Sequence, residues 1–502
     1  MVSGMDIFSA VLYSFQVASE PLNLFWCAVG VILGTFVGVL PGVGPTAGIA
    51  ILLPITTMLP PVPGLIMLAG IYYGSQYGGS TTSILVNMPG EVSSVITCLD
   101  GYPLAQSGRA GHALAVAAIS SFVAGTLSLV GLTFFAPLLA PFTFALGMPE
   151  YFLLMVLALT IIINLAGKSL VRAMVSGGLG LLVTTVGLDA ITGTSRLSFG
   201  SPHLMSGLDF IAATIGLFAI SEILVNAEKD LGSIVAEKVG NLYPSWREIF
   251  GLIPSMLRST FIGFFLGILP GISTPITSFL AYDVEKRVSR HPERFGKGML
   301  EGVAGPEGAN NACTSGGFIP LMVFGIPPSP ALAVLLGAFM MYGLQPGARM
   351  FQQRPDVVWG LIASMYFGNV MLLILNLPLV RIWVKILEVP YRILAPLILI
   401  FCFIGAFSLR NNFFDLWTAC IFGFGGYIMK KLDIPATPMV LCLILGSPIE
   451  SLFRQSLTMS GGSLKVFVRG PFSITLLVVI ILLLVISLWQ RSKISKFAED
   501  SD

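Results

Sequence analysis

Charge is what this sequence has least of. Asp, Glu, Lys and Arg make up 10% of its 502 residues, against roughly a quarter in a soluble domain. From Pro21 to Gly90 there is none of them, and no His either. So long an uncharged stretch in so apolar a chain belongs within lipid or deep in membrane protein. Cysteine is also scarce. The six cysteines (Cys27, Cys98, Cys313, Cys402, Cys420 and Cys442) stand apart in apolar surroundings, which excludes a disulfide framework or a C-x-x-C metal site. The three histidines, His112, His203 and His291, are expected in loops and not as ligands. No basic region precedes the first apolar run, so no cleavable leader is expected and the first span stays. The net charge of +2 carries no signal for nucleic acid, and no such partner is expected.

What the chain does have is apolar length, glycine and proline. With 55% hydrophobic residues and a mean hydropathy of +0.89, it reads as an all-α polytopic membrane protein. At ~20 residues per span the length accommodates about 12 membrane segments. Two unhelical-looking segments stand out, G-T-F-V-G-V-L-P-G-V-G-P-T (Gly34 to Thr46) within the uncharged stretch and Q-Y-G-G-S-T-T-S-I-L-V-N-M-P-G-E (Gln76 to Glu91) at its end. Pro41 lacks an N–H and the glycines favour non-helical backbone. The helix of the second segment is expected to break at Gly78-Gly79. Broken backbone at membrane depth survives only where protein or a watery cavity satisfies its polar groups.

Both segments recur. Gly263 to Pro275 reads G-F-F-L-G-I-L-P-G-I-S-T-P, placing Pro270-Gly271 at an offset of 270 − 41 = 229 residues from Pro41-Gly42. Thr314 to Ser329 reads T-S-G-G-F-I-P-L-M-V-F-G-I-P-P-S, with Gly316-Gly317 and Pro327 offset by 238 from Gly78-Gly79 and Pro89. The chain is therefore two related halves, and paired Gly/Pro-interrupted segments are the best sequence pointer to a transporter's binding site. The expected layout is an interfacial segment over 1–20, a first repeat over 21–225, a connecting loop over 226–254, a second repeat over 255–471, and a last span with a basic cytoplasmic tail over 472–502. The loop after the first L-P-G, M-L-P-P-V-P-G, is uncharged. Its counterpart carries Lys286, Arg287, Arg290, Arg294 and Lys297. Opposite basic content places the two loops on opposite sides of the membrane, hence inverted repeats with broken or re-entrant helices.

These motifs resemble the large membrane subunit of the tripartite tricarboxylate transporter family. The resemblance is carried by G-x-L-P-G-x-G-P-T, Y-G-G-S-T-T-S-I-L-V-N-x-P-G-E, G-x-D-x-x-T-G (Gly187 to Gly193) and G-S-P-I-E-S-L-F-R-Q-S-L (Gly446 to Leu457), and it runs from about Ser19 to Phe472. It implies a secondary transporter of the bacterial inner membrane, importing small carboxylates by ion symport. A periplasmic solute-binding protein and a small membrane subunit would be its partners. Phe318-Ile319-Pro320 follows Gly316-Gly317 where the first half has Ser80 to Ser83, so substrate contact is expected to be lopsided.

No Arg or Lys stands in either motif, so positive potential must come from half-helix N-termini, while freed carbonyls suit Na⁺. Hydroxyls of Ser80, Thr81, Thr82 and Ser83 and the amide of Asn87 can donate to carboxylate oxygens, with Asn310, Asn311, Thr314 and Ser315 opposite. A hard cation would find oxygen ligands around Gly38, Pro41, Gly42 and Thr46, and around Gly267, Pro270, Gly271 and Thr274. The coupling ion is accordingly expected to be Na⁺, with no other cofactor. The plainer reading is that Gly allows close helix packing and Ser/Thr hydroxyls bond their own helix; it explains one motif better than a repeated pair. Glu91, Glu222, Glu301 and Glu307 are the acids nearest apolar segments, and an intramembrane acid is functional by default. Ser80 has no His or Asp nearby in sequence, so a hydrolase is unsupported, and an intramembrane enzyme, the rival class, would require a catalytic dyad elsewhere. A channel or structural subunit remains the alternative to a transporter.

Overall fold

The structure is a computed structural model describing residues 7–40, 42–143, 146–165, 169–189, 191–228, 239–387, 389 and 391–499. Apolar sequence punctuated by proline folds here as helices. In chain order they begin with α1 (Ile7–Ala18), α2 (Pro21–Val39), α3 (Gly44–Thr56) and α4 (Pro61–Val86). Pro occupies the first turn of α2, α3 and α4, where its missing N–H costs no hydrogen bond. The stretch 100–109 reads as a loop in sequence but is helical. It comprises α5 (Cys98–Leu104) and a π-turn (Ala105–Arg109) kinked at Gly108, running into α6 (Ala110–Thr143).

Next come α7 (Met148–Leu165), α8 (Leu170–Thr184) and α9 (Pro202–Met205), then α10 (Phe210–Thr214) and α11 (Ser221–Ala227) joined by a π-turn. Between α8 and α9 lies a two-residue antiparallel ladder pairing Gly187 with Arg196 and Leu188 with Ser195. The second half opens on α12 (Trp246–Gly267), whose start is fixed by a capping box between Ser245 and Glu248. It continues through α13 (Thr274–Val288), α14 (Glu301–Phe324), α15 (Pro330–Met341), α16 (Met350–Gln353), α17 (Pro355–Asn376), α18 (Val380–Leu387), α19 (Tyr391–Ser408), α20 (Phe413–Lys431), α21 (Ala436–Met459) and α22 (Pro471–Glu499).

The chain is a multi-pass, all-α membrane protein. Among the described residues six helices are long and apolar enough to cross a bilayer, or seven if the bent pair Val380–Leu387 and Arg392–Ser408 is one span. Apolar helices such as Gly44–Thr56 and Pro330–Met341 are shorter; at 1.5 Å per residue, 13 residues reach only about 20 Å of a ~30 Å core.

Two compact units form, each taking one stretch from each half. One joins Met1–Pro141 to Ile211–Tyr427, the other Phe142–Phe210 to Ile428–Asp502. Within the first, α2 and α4 pack backbone against backbone. A Cβ added at Gly30 would lie 2.4 Å from the Met67 carbonyl oxygen, at Gly34 2.7 Å from that of Ile71, and at Gly38 2.2 Å from that of Ser75. The numbers rise together, so α2 and α4 run parallel. The chain between them must turn back, and α3 is that return. The second half repeats the pattern: Gly263 lies against Ala309 and Gly267 against Cys313, so α12 and α14 are parallel and α13 returns. Between α4 and α14 the sense is opposite. Ser80 meets Glu307 while Tyr72 lies 6.2 Å from Phe318, ring to ring, so these two helices are antiparallel.

Candidate functional site

Each returning hairpin has a break at its tip, built the same way. Helix α2 ends at Leu40 in extended backbone; Gly42 then adopts φ 85° and Gly44, the first residue of α3, φ 63°. Helix α12 is followed by Gly271 at φ 84°. A left-handed φ is open to glycine at little cost. The third helix of each hairpin also ends alike, α4 on Asn87 at φ 53° and α14 on Gly325 at φ 71°, at the 238-residue offset seen in sequence. The two breaks of a half then meet. A Cβ on Gly90 would lie 2.0 Å from the Gly38 carbonyl oxygen, and the Gly271 N–H donates to the Pro328 carbonyl at 3.2 Å.

The helix expected to stop at Gly78-Gly79 runs on to Val86. Gly78 is there for packing: its Cβ would sit 2.3 Å from the Thr35 carbonyl oxygen. Chain direction changes at Asn87-Met88-Pro89 instead, because a residue before proline is driven out of the helical region.

Between α4 and α14 lies a buried polar layer centred on Glu307. Its Oε2 accepts from Ser80 Oγ at 2.5 Å and from Asn310 Nδ2 at 3.3 Å, and its Oε1 accepts from Thr97 Oγ1. Asn311 Nδ2 donates to Ser121 Oγ at 2.8 Å and to the Glu307 carbonyl at 3.1 Å. Ser80, Thr81 and Ser121 line, with Tyr77 and Asn376, a recess of about 10 Å³, room for about one water and far below the ~300–1,000 Å³ usual for small-molecule pockets. Of the other expected substrate contacts, Thr82 and Ser83 donate to the Gly79 carbonyl, Thr314 to that of Asn310 and Ser315 to that of Asn311. These four hydroxyls satisfy their own helices. Asn87 is exposed and caps α4.

The model of the family described as "Tripartite tricarboxylate transporter TctA family" matches residues 24–441. The chain belongs to this family. An Agrobacterium vitis relative named "Uncharacterized 52.8 kDa protein in TAR-I ttuC' 3'region" is 45% identical over 501 residues, covering 99% of this chain and 100% of the relative. A second from the same organism, "Uncharacterized protein in TAR-II ttuC' 3'region", is 44% identical over 215 residues, covering 43% of this chain and 89% of the relative. No solved structure matches this chain.

The match of this TctA-family chain spans both hairpins and the Glu307 layer. Of the residues expected to hold a cation, Pro41 lies outside the described residues. Gly42 stands beside α11, where an added Cβ would lie 2.5 Å from Asn226 Nδ2 and 3.0 Å from Glu222 Oε1. The first break therefore faces Glu222, to which Asn226 Nδ2 donates at 3.3 Å. Thr46 is half-buried and Thr274 buried, at the starts of α3 and α13 respectively; Gly38 and Gly267 are held against α4 and α14. Among the described residues no group of three or more His, Cys, Asp and Glu is placed to hold a metal ion, so any cation at the breaks would rely on carbonyl and hydroxyl oxygens.

Three polar residues escaped the sequence reading. Thr97 and Ser121 complete the Glu307 layer from α5's approach and from α6. Asp100, fully buried, accepts from the Tyr282 hydroxyl at 2.8 Å and from the N–H groups of Gly296, Gly298 and Met299 at 3.0, 2.8 and 2.7 Å. It pins the charged loop ahead of α14. The adjoining Glu285, 1% exposed, takes a two-pronged hydrogen bond from Arg258.

In the second unit the two remaining family motifs meet. Asp189 Oδ1 accepts from the N–H groups of Ile191 and Thr192, and its Oδ2 from Arg454 at 2.6 Å; Glu450 pairs with Arg196 at 2.8 Å and with Arg454 at 3.1 Å. The Thr192 N–H, with the Arg454 guanidinium, holds the Asp189 carboxyl well below the usual carboxylate range.

Proposed function

We propose that this chain is the large membrane subunit of a binding-protein-dependent secondary transporter of the bacterial inner membrane, importing small di- or tricarboxylates by Na⁺ symport. A periplasmic solute-binding protein delivers the substrate, and a small membrane subunit completes the system. Membership of the TctA family carries the reading. It is supported by two hairpins broken at matching glycines, which free backbone N–H groups at the starts of α3 and α13 and carbonyls at the ends of α2 and α12. In this reading Ser80, Thr81, Asn310 and Asn311 line the carboxylate path, with Thr82, Ser83, Asn87, Thr314 and Ser315 further along it. Gly38, Pro41, Gly42 and Thr46, with Gly267, Pro270, Gly271 and Thr274, frame the breaks where Na⁺ finds oxygen. The antiparallel meeting of α4 and α14 supports an inverted relation between the repeats.

Reconstitution tests it. Vesicles holding this chain and the small subunit, with an inward Na⁺ gradient, should accumulate labelled carboxylate only once the binding protein is added. Full-rate uptake without that protein, or mere equilibration down the substrate gradient, would reject the reading in favour of a channel.

A further inference from the structure

Two acids in the α4–α14 layer have no basic partner. Glu307 is fully buried and Glu91 is 6% exposed; Glu91 Cγ would lie 2.7 Å from a Cβ on Gly79, the neighbour of the Ser80 whose hydroxyl donates to Glu307. Among the described residues no Lys, Arg or His bonds to either. The titratable groups facing them are Tyr72, Tyr77, Cys98 and Cys313, all neutral when protonated. Two carboxylates so placed must recruit a cation or give up charge.

The surroundings are short of partners as well. Glu91 Oε1 and the Nε2 of fully buried Gln76, which lies next to Glu91, each make no hydrogen bond. Oxygen converges on Glu307 from the Ser80 hydroxyl on α4 and the Thr97 hydroxyl before α5, and Glu91, its Oε1 unpaired, packs against Gly79 beside Ser80. Hydroxyls that donate to Glu307 keep lone pairs and can swing their hydrogens aside for a metal. A hard cation takes several oxygens at once, whereas a proton would engage one or two of them.

We propose that Glu91 and Glu307, with the hydroxyls of Ser80 and Thr97, bind the coupling Na⁺ ion between α4 and α14. The proposal rests on the symport reading and moves the ion away from the carbonyls of the breaks alone. It also gives a route for coupling. Glu91 directly follows Gly90, whose backbone sits on the Gly38 carbonyl at the end of α2. An ion that draws Glu91 toward Glu307 would thereby bias the first break, favouring one of two arrangements by its differential affinity.

The test needs neither substrate nor binding protein. Purified full-length chain in lipid nanodiscs is titrated with NaCl against choline chloride, reading radiolabelled Na⁺ binding and the thermal midpoint. Wild type should bind Na⁺ saturably and be stabilised by it. Glu91→Gln and Glu307→Gln should lose both effects, and Thr97→Val should weaken Na⁺ binding by about ten-fold or more. Unaltered Na⁺ affinity in the folded Gln variants overturns the site, as does stabilisation that follows acid pH and ignores Na⁺. Should the Gln variants not fold, Ser80→Ala and Thr97→Val decide, and unchanged affinity in both overturns it. Na⁺ binding that behaves as expected in a chain that imports no carboxylate would count against the symport reading only.

Discussion

Gly38 and Gly42 stand four residues apart and meet different demands. At Gly38 a methyl would press on backbone, 2.2 Å from the Ser75 carbonyl oxygen and 2.9 Å from the Gly79 nitrogen, and neither can give way. Gly38→Ala should part α2 from α4 and cost about 1–3 kcal/mol, read as a lowered thermal midpoint. At Gly42 the demand is the backbone angle, φ 85°, which costs an alanine about 1 kcal/mol or more. Gly271, at φ 84°, makes the same demand. Gly42→Ala and Gly271→Ala should therefore both lower uptake by reshaping the breaks, and each should lower the midpoint, Gly42→Ala the more because its Cβ also meets Asn226 Nδ2 at 2.5 Å. A fully active Gly42→Ala protein would show that the left-handed turn is dispensable for transport. The L-P-G turns were legible because proline and glycine together announce non-helical backbone. Gly78 was not read correctly. Its spacing with Gly70 and Gly74, matched by Gly30, Gly34 and Gly38 on α2, is the small-residue pattern of close helix packing, and it outweighs the local preference of glycine to break a helix.

At the scale of elements, sequence gave away those whose apolar runs were bounded by proline. It missed α5, because Asp100 and the polar residues after it look solvated. A buried carboxylate fed by three N–H groups of a distant loop and by the Tyr282 hydroxyl on α13 has no local signature, and Thr97 entered the Glu307 layer unread for the same reason. The loop from Gly187 to Arg196 is a clearer case of element-scale design. Asp189 closes the turn onto the N–H groups of Ile191 and Thr192 and ties it to Arg454 on α21. Because this carboxyl titrates below its ordinary range when folded, it adds stability in full above the unfolded value near ~4 and loses it as pH falls through the folded value. Asp189→Asn should lower the thermal midpoint by an amount that is constant from about pH 6 to 8 and shrinks below about pH 4. A midpoint difference that instead grows in acid would mean that Asp189 is not held as the anion.

At the scale of the whole molecule, the two broken hairpins raise the question of their orientation in the bilayer. Each consists of a helix, a left-handed break, a returning helix and a third helix parallel to the first, and the third helices α4 and α14 meet antiparallel. If that contact persists across the bilayer, the returning helices α3 and α13 deliver their ends to opposite faces. The charges agree. The connector after α3 carries none, while α13 ends in Lys286 and Arg287 and is followed by Arg290, Arg294 and Lys297, a basic cluster that the positive-inside rule assigns to the cytoplasm. Met58, 82% exposed in the connector after α3, and Arg290, exposed after α13, report the two ends. In a cysteine-free background, Met58→Cys should react with a membrane-impermeant thiol reagent applied to the outer face of the cytoplasmic membrane. Arg290→Cys should react only when the reagent reaches the cytoplasmic face, as in inside-out vesicles. Labelling of both cysteines from one face would reject the inverted arrangement, since no rotation of parallel hairpins about the membrane normal can send equivalent ends to opposite sides.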